Sequence, residues 1–196
     1  HSDLRRQRQM CIRDRPTPEG DPVDLARKRT STFWNRKIIM TSTPTIDGMS
    51  RIQDAWNTSD QRKYHVPCPH CKTYQHLEWS NIKWSENLEE VNYVCKSCGV
   101  LIDESDKPYM MQNGRWVQEG NKSNVAGFHL NELYSSWRTW KEVIESFLIA
   151  KNNPEQLRVW VNTSLGECFA EKGEEIESDS LLTVSYTHLT LPTKVT

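Results

Sequence analysis

The stretch KYHVPCPHCKTYQHLEWSNIKWSENLEEVNYVCKSC, Lys63 to Cys98, carries two CxxC pairs, Cys68/Cys71 and Cys95/Cys98. A CxxC pair on a tight turn offers two sulfurs on the same side, and two such turns complete a tetrahedral shell. The strand-like segments QHLEW and NYVC between the pairs suffice for a hairpin that brings the turns together. That is the plan of a zinc ribbon, with Cys68, Cys71, Cys95 and Cys98 as ligands of Zn2+. Four thiolates leave no position for a reactive water, so such an ion is structural rather than catalytic. A thioredoxin-like redox pair would instead stand alone at a helix start in a βαβ setting. His65, His70 and His76 lie close by, but the cysteines fill the shell. They are expected at the surface or beside the ligands. Cys11 belongs to a terminal stretch, and Cys168 is expected to be a lone thiol.

Around this stretch the composition is ordinary. The 196 residues are 36% hydrophobic and 26% charged, with net charge −1, enough for one or two small domains. The balanced charge gives no whole-chain argument for nucleic-acid binding. No apolar run approaches the roughly 20 residues of a transmembrane helix, and HSDLRRQRQMCIRDR lacks the apolar core of a secretory signal. Six cysteines without an export signal favour a reducing compartment and metal over disulfides. Residues 1–15, which include MCIRDR, and residues 183–196, which end in LTLPTKVT, share no patterning with their neighbours and are expected to be non-native sequence.

Upstream of the cysteines, Asp21 caps a helix beginning at Pro22, with Asp24 in its first turn. Lys37–Met40 reads as a short buried strand feeding the hydroxyl-rich loop TSTPT. A second helix is expected from Ser50, with Gln53 placed for a capping box. Downstream, Asn113-Gly114 is a tight-turn signal, and VAGFHL one more strand. Thr139 and Glu142 mark a capping box before Trp140, Val143, Ile144, Phe147 and Leu148 on one helix face. Asn153 and Pro154 then start a helix carrying Leu157, Trp160, Val161 and Leu165.

Three segments occur in order: RKIIMTSTPTIDGMSRIQDAW, then KYHVPCPHC, then VNTSLGECF. Together they resemble the large terminase subunit of lambda-type tailed bacteriophages, the GpA family, across about residues 19–182. The resemblance implies a central fragment of an ATP-driven motor that translocates and cuts double-stranded DNA. The expected fold class is α+β. Residues 16–60 would be the C-terminal remnant of an α/β P-loop ATPase domain, 61–135 a small β-rich zinc ribbon region, and 136–182 a helical connector toward a nuclease domain. A strand delivering TSTPT at its carboxyl end places Thr41, Ser42, Thr43 and Thr45 where hydroxyls sense a γ-phosphate, with Pro44 stiffening the loop. In the family this segment looks like the motif coupling ATP hydrolysis to DNA movement; the residues alone favour a simple capped turn after a strand, and the resemblance reverses that reading.

The resemblance further implies ATP and Mg2+ in the intact protein, a small terminase subunit and a procapsid portal as partners, a homo-oligomeric motor, no membrane, and the cytoplasm of an infected bacterial host. No GxxxxGK[ST] phosphate loop occurs in these residues, and the family's nuclease carboxylates would lie beyond Leu182. The piece alone is therefore expected to be inactive, with no catalytic residue of its own. Glu174, Glu175 and Glu177 read as a solvated linker. The basic residues Arg27, Lys28, Arg29, Arg36, Lys37, Arg51, Arg62 and Lys63 fall near the loop. Arg36, Lys37 and Arg51 are the candidates for contact with a DNA backbone, which charge alone would provide. The competing class is a non-enzymatic zinc-ribbon module that binds nucleic acid or protein. A free-standing ribbon would not need the strand-plus-TSTPT unit.

Overall fold

The computed structural model describes residues 21–170, which divide into two compact units, the second starting at Ser42. The suspect terminal stretches, Cys11 and the Glu174–Glu177 run lie outside the described residues. In the first unit, helix α1 spans Pro22–Arg29, capped as expected by Asp21, whose carboxylate accepts from Val23 N–H at 2.7 Å. Arg27 pairs with Asp24 at 3.5 Å. Lys37–Met40 departs from expectation: it pairs with no strand among the described residues, and Ile39 is exposed. An apolar run becomes a buried strand only when neighbours accept its backbone groups, and no such neighbour is described here.

The second unit opens with TSTPTID and helix α2, Arg51–Asn57. Its Ser50 cap forms no capping bond. The hydroxyl instead accepts from Thr45 N–H at 3.2 Å, while Gln53 Nε2 donates to Asn57, so the expected capping box is absent. Strands β1 (Arg62–Pro67) and β2 (Tyr74–His76) form an antiparallel hairpin around the first CxxC turn. A 3-10 turn at Trp79–Asn81 leads into the antiparallel sheet β3 (Ile82–Trp84), β4 (Val91–Val94) and β5 (Leu101–Asp103). Helix α3, Lys107–Gln112, ends at Asn113. The Asn-Gly pair therefore joins a helix to a strand rather than two strands. Strand β6 (Arg115–Gln118) runs antiparallel to β1, and β7 (Phe128–His129) runs parallel to it. Because β6 and β7 both pair with Arg62 and Lys63, they take opposite edges of β1; β2 continues the edge that β7 begins.

Helix α4, Trp140–Ala150, has the full capping box of Thr139 and Glu142. Helix α5, Pro154–Trp160, is capped by Asn153 and runs on through a π turn, Val161–Leu165. Their apolar faces meet both sheets in one core, built from Val66, Leu77, Tyr93, Ile102, Met110, Leu133, Trp140, Phe147 and their neighbours. Trp79 sits at its centre, with ring centroids 5.0 Å from Phe147 and 4.7 Å from Trp160. Two tyrosines, Tyr93 buried and Tyr134 half-buried, tie the layers. Tyr134 Oη donates to Tyr64 O at 2.6 Å and accepts from Leu77 N–H at 2.7 Å, whereas Tyr93 Oη donates to His76 O and accepts from Glu78 N–H. No described helix is long and apolar enough to cross a membrane.

Candidate metal centre and the joint around it

The four cysteines converge as their spacing predicts. Two turns of the same construction carry them. In each, the first cysteine's carbonyl accepts the N–H four residues on, Lys72 to Cys68 at 3.0 Å and Gly99 to Cys95 at 2.9 Å. In each, the first cysteine's own N–H returns a bond, to Thr73 O and to Val100 O, both at 3.0 Å. The residue that closes each turn is left-handed, Lys72 at φ 60 and Gly99 at φ 71. Glycine takes that conformation freely; lysine does so at a cost.

Cys68 Sγ lies 3.9 Å from Cys98 Sγ, and Cys71 Sγ 3.8 Å from Cys95 Sγ, with all four sulfurs within 4.8 Å of one another. Tetrahedral thiolate coordination at about 2.3 Å requires sulfurs about 3.8 Å apart. The four-thiolate set therefore fits such an ion with small side-chain adjustments. Cys68 and Cys95 are buried, while Cys71 and Cys98 reach the surface, an arrangement that supports a brace. Hydrogen bonds from Thr73 bring the Cys71 thiol down to about 6; burial pushes the Cys68 thiol up to about 12. Against burial, the backbone N–H groups of its own turn draw the Cys95 thiol down as well, while the Cys98 thiol is raised. Each turn thus pairs one lowered thiol with one raised one, and a cation would gather thiolate charge on all four sulfurs.

His70 is exposed. His65 and His76 face each other across the β1–β2 hairpin and meet Glu119, which follows β6. Glu119 Oε1 lies 2.8 Å from His65 Nε2 and Oε2 lies 2.9 Å from Lys63 Nζ. Burial outweighs the neighbouring carboxylates and, with the charge of Lys63, lowers the proton affinity of His76. Nothing in the sequence around Glu119 marks it as a partner of the two histidines. The hairpin register around CPHC was the available signal for pairing His65 with His76.

The TSTPT motif straddles the two units: Thr41 closes the first, and Ser42 opens the second. Pro44 is buried, and Ser42 Oγ donates to Thr43 O at 2.8 Å. Ile46 forms a parallel bridge with Phe169. The loop is thereby joined to the VNTSLGECF segment, where Cys168 Sγ lies 3.6 Å from Gln53 Oε1. Of the basic candidates, Arg36 and Lys37 are exposed in the first unit, and Arg51 begins α2 in the second. Arg62 is committed to buried Asp60 at 2.6 Å.

Asp60 fastens β7 to β1. Its Oδ1 accepts from Gly127 N–H at 3.0 Å, and Arg62 N–H donates to Gly127 O at 2.9 Å. Burial opposes ionisation of Asp60, but the bonds from Arg62 and Gly127 prevail and hold its carboxyl below the usual range.

The family model for the ATPase domain of the phage terminase large subunit gpA matches residues 10–116, and the model for the terminase large subunit gpA endonuclease domain matches residues 125–196. The terminase large subunit of Enterobacteria phage P21 is 31% identical over 192 residues, covering 84% of this chain and 30% of the relative. That of Escherichia phage lambda is 27% identical over 187 residues, covering 82% and 29%. The chain thus spans about 30% of the length of the curated relatives it matches. No solved structure matches it. The two matched spans meet inside one sheet, since β7 of the second pairs with β1 of the first. The chain belongs to the phage terminase large subunit gpA family.

Proposed function

We propose that this chain is the joint between the ATPase and nuclease parts of a DNA-packaging motor, braced by one structural zinc ion. In the intact protein, ATP with Mg2+ would drive double-stranded DNA into a procapsid, and the nuclease would make the packaged ends. The small terminase subunit and the portal are the partners of that assembly, which would work as a homo-oligomer in the infected host's cytoplasm. The observation that carries this reading is the double attachment between matched spans: β7 on β1, and Phe169 on Ile46. Each bond crosses from ATPase-matched to nuclease-matched sequence.

Cys68, Cys71, Cys95 and Cys98 would hold the zinc, which supplies cohesion and no chemistry because its shell is closed. Thr41, Ser42, Thr43, Pro44 and Thr45 would form the coupling loop. Its hydroxyls face the nucleotide in this proposal, and its far end is fixed to the joint by Ile46 and Phe169. A shift of the loop would then reach the nuclease-matched half through packed backbone. Arg36, Lys37 and Arg51 are proposed contacts to the DNA backbone by charge.

The test is made in the full-length protein with Pro44→Gly and Thr43→Ala. ATP hydrolysis should persist near the parent rate while packaged DNA falls about tenfold or more, equivalent to about 1.4 kcal/mol. Packaging at the parent rate in both variants would overturn the coupling role. Loss of ATP hydrolysis in step with packaging would assign the loop to catalysis instead.

A further inference from the structure

We propose that His65, His76 and Glu119 form a second divalent-metal site, separate from the four cysteines, that takes zinc or a similar first-row cation. The three side chains come from three strands or strand ends of one sheet. His65 on β1 and His76 on β2 are direct cross-strand partners, so their side chains share a face. Glu119 arrives on that face from the end of β6, held by its N–H bond to Gln61 O at 3.2 Å. Two histidines and one carboxylate offering one face of a coordination shell is a recurrent set for zinc and iron.

The spacing suits an ion. Glu119 Oε1 lies 2.8 Å from His65 Nε2 and 3.7 Å from His76 Nδ1, and all three ligand atoms lie within 4.8 Å of one another. Ligands at about 2.0–2.2 Å from one ion stand about 3.0–3.5 Å apart, so small side-chain adjustments suffice. Partners beyond the ligands are already in place. His76 Nε2 lies 2.6 Å from Glu78 Oε1, so a neutral ring donating there keeps Nδ1, 3.7 Å from Glu119 Oε1, free to ligate. Glu119 keeps its second oxygen on Lys63 at 2.9 Å, leaving Oε1 for the ion. A carboxylate behind a ligating histidine and a fixed ligating carboxylate are what tune metal affinity.

Coordination can be completed from solvent. A cavity of about 300 Å³ opens beside the histidines, which both line it, together with Lys96 and Ser97 of the second cysteine turn. Lys96 also pairs with Glu78 at 2.5 Å. The carboxylate that orients His76 is therefore tied to the turn carrying Cys95 and Cys98, and filling one site should be felt at the other.

The experiment starts from the whole chain holding one zinc equivalent and titrates Co2+, followed by absorbance and elemental analysis. A second equivalent should bind, with visible d–d bands but no thiolate-to-cobalt charge transfer. His65→Ala and Glu119→Gln should each weaken the second equivalent about tenfold or more, and Glu78→Gln, which removes no ligand, should weaken it less. On the parent chain, nitrogen-edited histidine spectra with diamagnetic Zn2+ should show ring shifts at His65 and His76 and none at His70. Saturation at one equivalent, or cobalt uptake indifferent to both ligand variants, would overturn the proposal. Ring shifts confined to His70 would do the same.

Discussion

Phe169 N–H donates to the Thr45 carbonyl at 3.1 Å, and Asp47 N–H donates back to the Phe169 carbonyl at 3.2 Å. One residue of VNTSLGECF is thereby gripped between two residues of TSTPTID. Ser50 secures the same loop from the α2 side through Thr45 N–H.

Ser50 is almost fully buried, and Ser50→Ala strips the Thr45 N–H of its partner. The expected loss is about 1–2 kcal/mol by chemical denaturation. Amide exchange at Thr45, Asp47 and Phe169 should quicken together. Unchanged exchange at Phe169 would mean that the two attachments are independent.

Gly127, just before β7, packs tightly against Ser59 and against Trp56 of α2. A Cβ there would stand 2.0 Å from Ser59 Oγ and 3.1 Å from the Trp56 ring. Gly127→Ala should therefore cost about 1–3 kcal/mol by overpacking and loosen β7 from β1. Thermal denaturation and exchange at Arg62 and His129 would read it. Full parental stability would show that the loop yields freely.

Asp60 supplies the pH dependence. Its folded carboxyl is held below its ordinary value, so it contributes stability above the unfolded range of about 4. That contribution is lost as pH falls through the folded value, below about 4. Asp60→Asn retains an acceptor for Gly127 but not the ion pair with Arg62, and should flatten the acid limb of the stability curve. An acid limb identical to the parent's would remove Asp60 from that account.

Trp79 links the β3 strand to the helices through Trp84, Phe147 and Trp160. Trp79→Ala should cost about 3–5 kcal/mol. Trp79→Phe should cost clearly less, because the indole N–H is buried without a hydrogen-bond partner among the described residues and its loss removes a desolvated donor. Equal losses in urea denaturation would show that shape, not polarity, governs the position.

Local chemistry made much of this legible from sequence. Thr139 with Glu142, Asn153 with Pro154 and Asp21 with Pro22 act within one helical turn, so their reading needs no tertiary context. The paired CxxC turns were legible for the same reason. Elsewhere tertiary demand prevailed. Ser50 gave its hydroxyl to Thr45 rather than to its own helix. Asn113 ended α3, whose Pro108 and short length concealed a helix presenting Met110 to the core. Lys37–Met40 looked like a strand because apolarity signals burial only when pairing partners exist. Glu119 joined two histidines through strand register, which no single segment encodes.

The proposed joint requires the ATPase-matched and nuclease-matched spans to fold as one body braced by a metal on Cys68, Cys71, Cys95 and Cys98. Hydrogen exchange of the whole chain, before and after chelation with metal content counted, tests it most directly. One tightly held zinc should leave on chelation, and protection should collapse together at the cysteine turns, along β1 and β7, and at Phe169. Loss of the zinc with undiminished protection at β7 and Phe169 would contradict it.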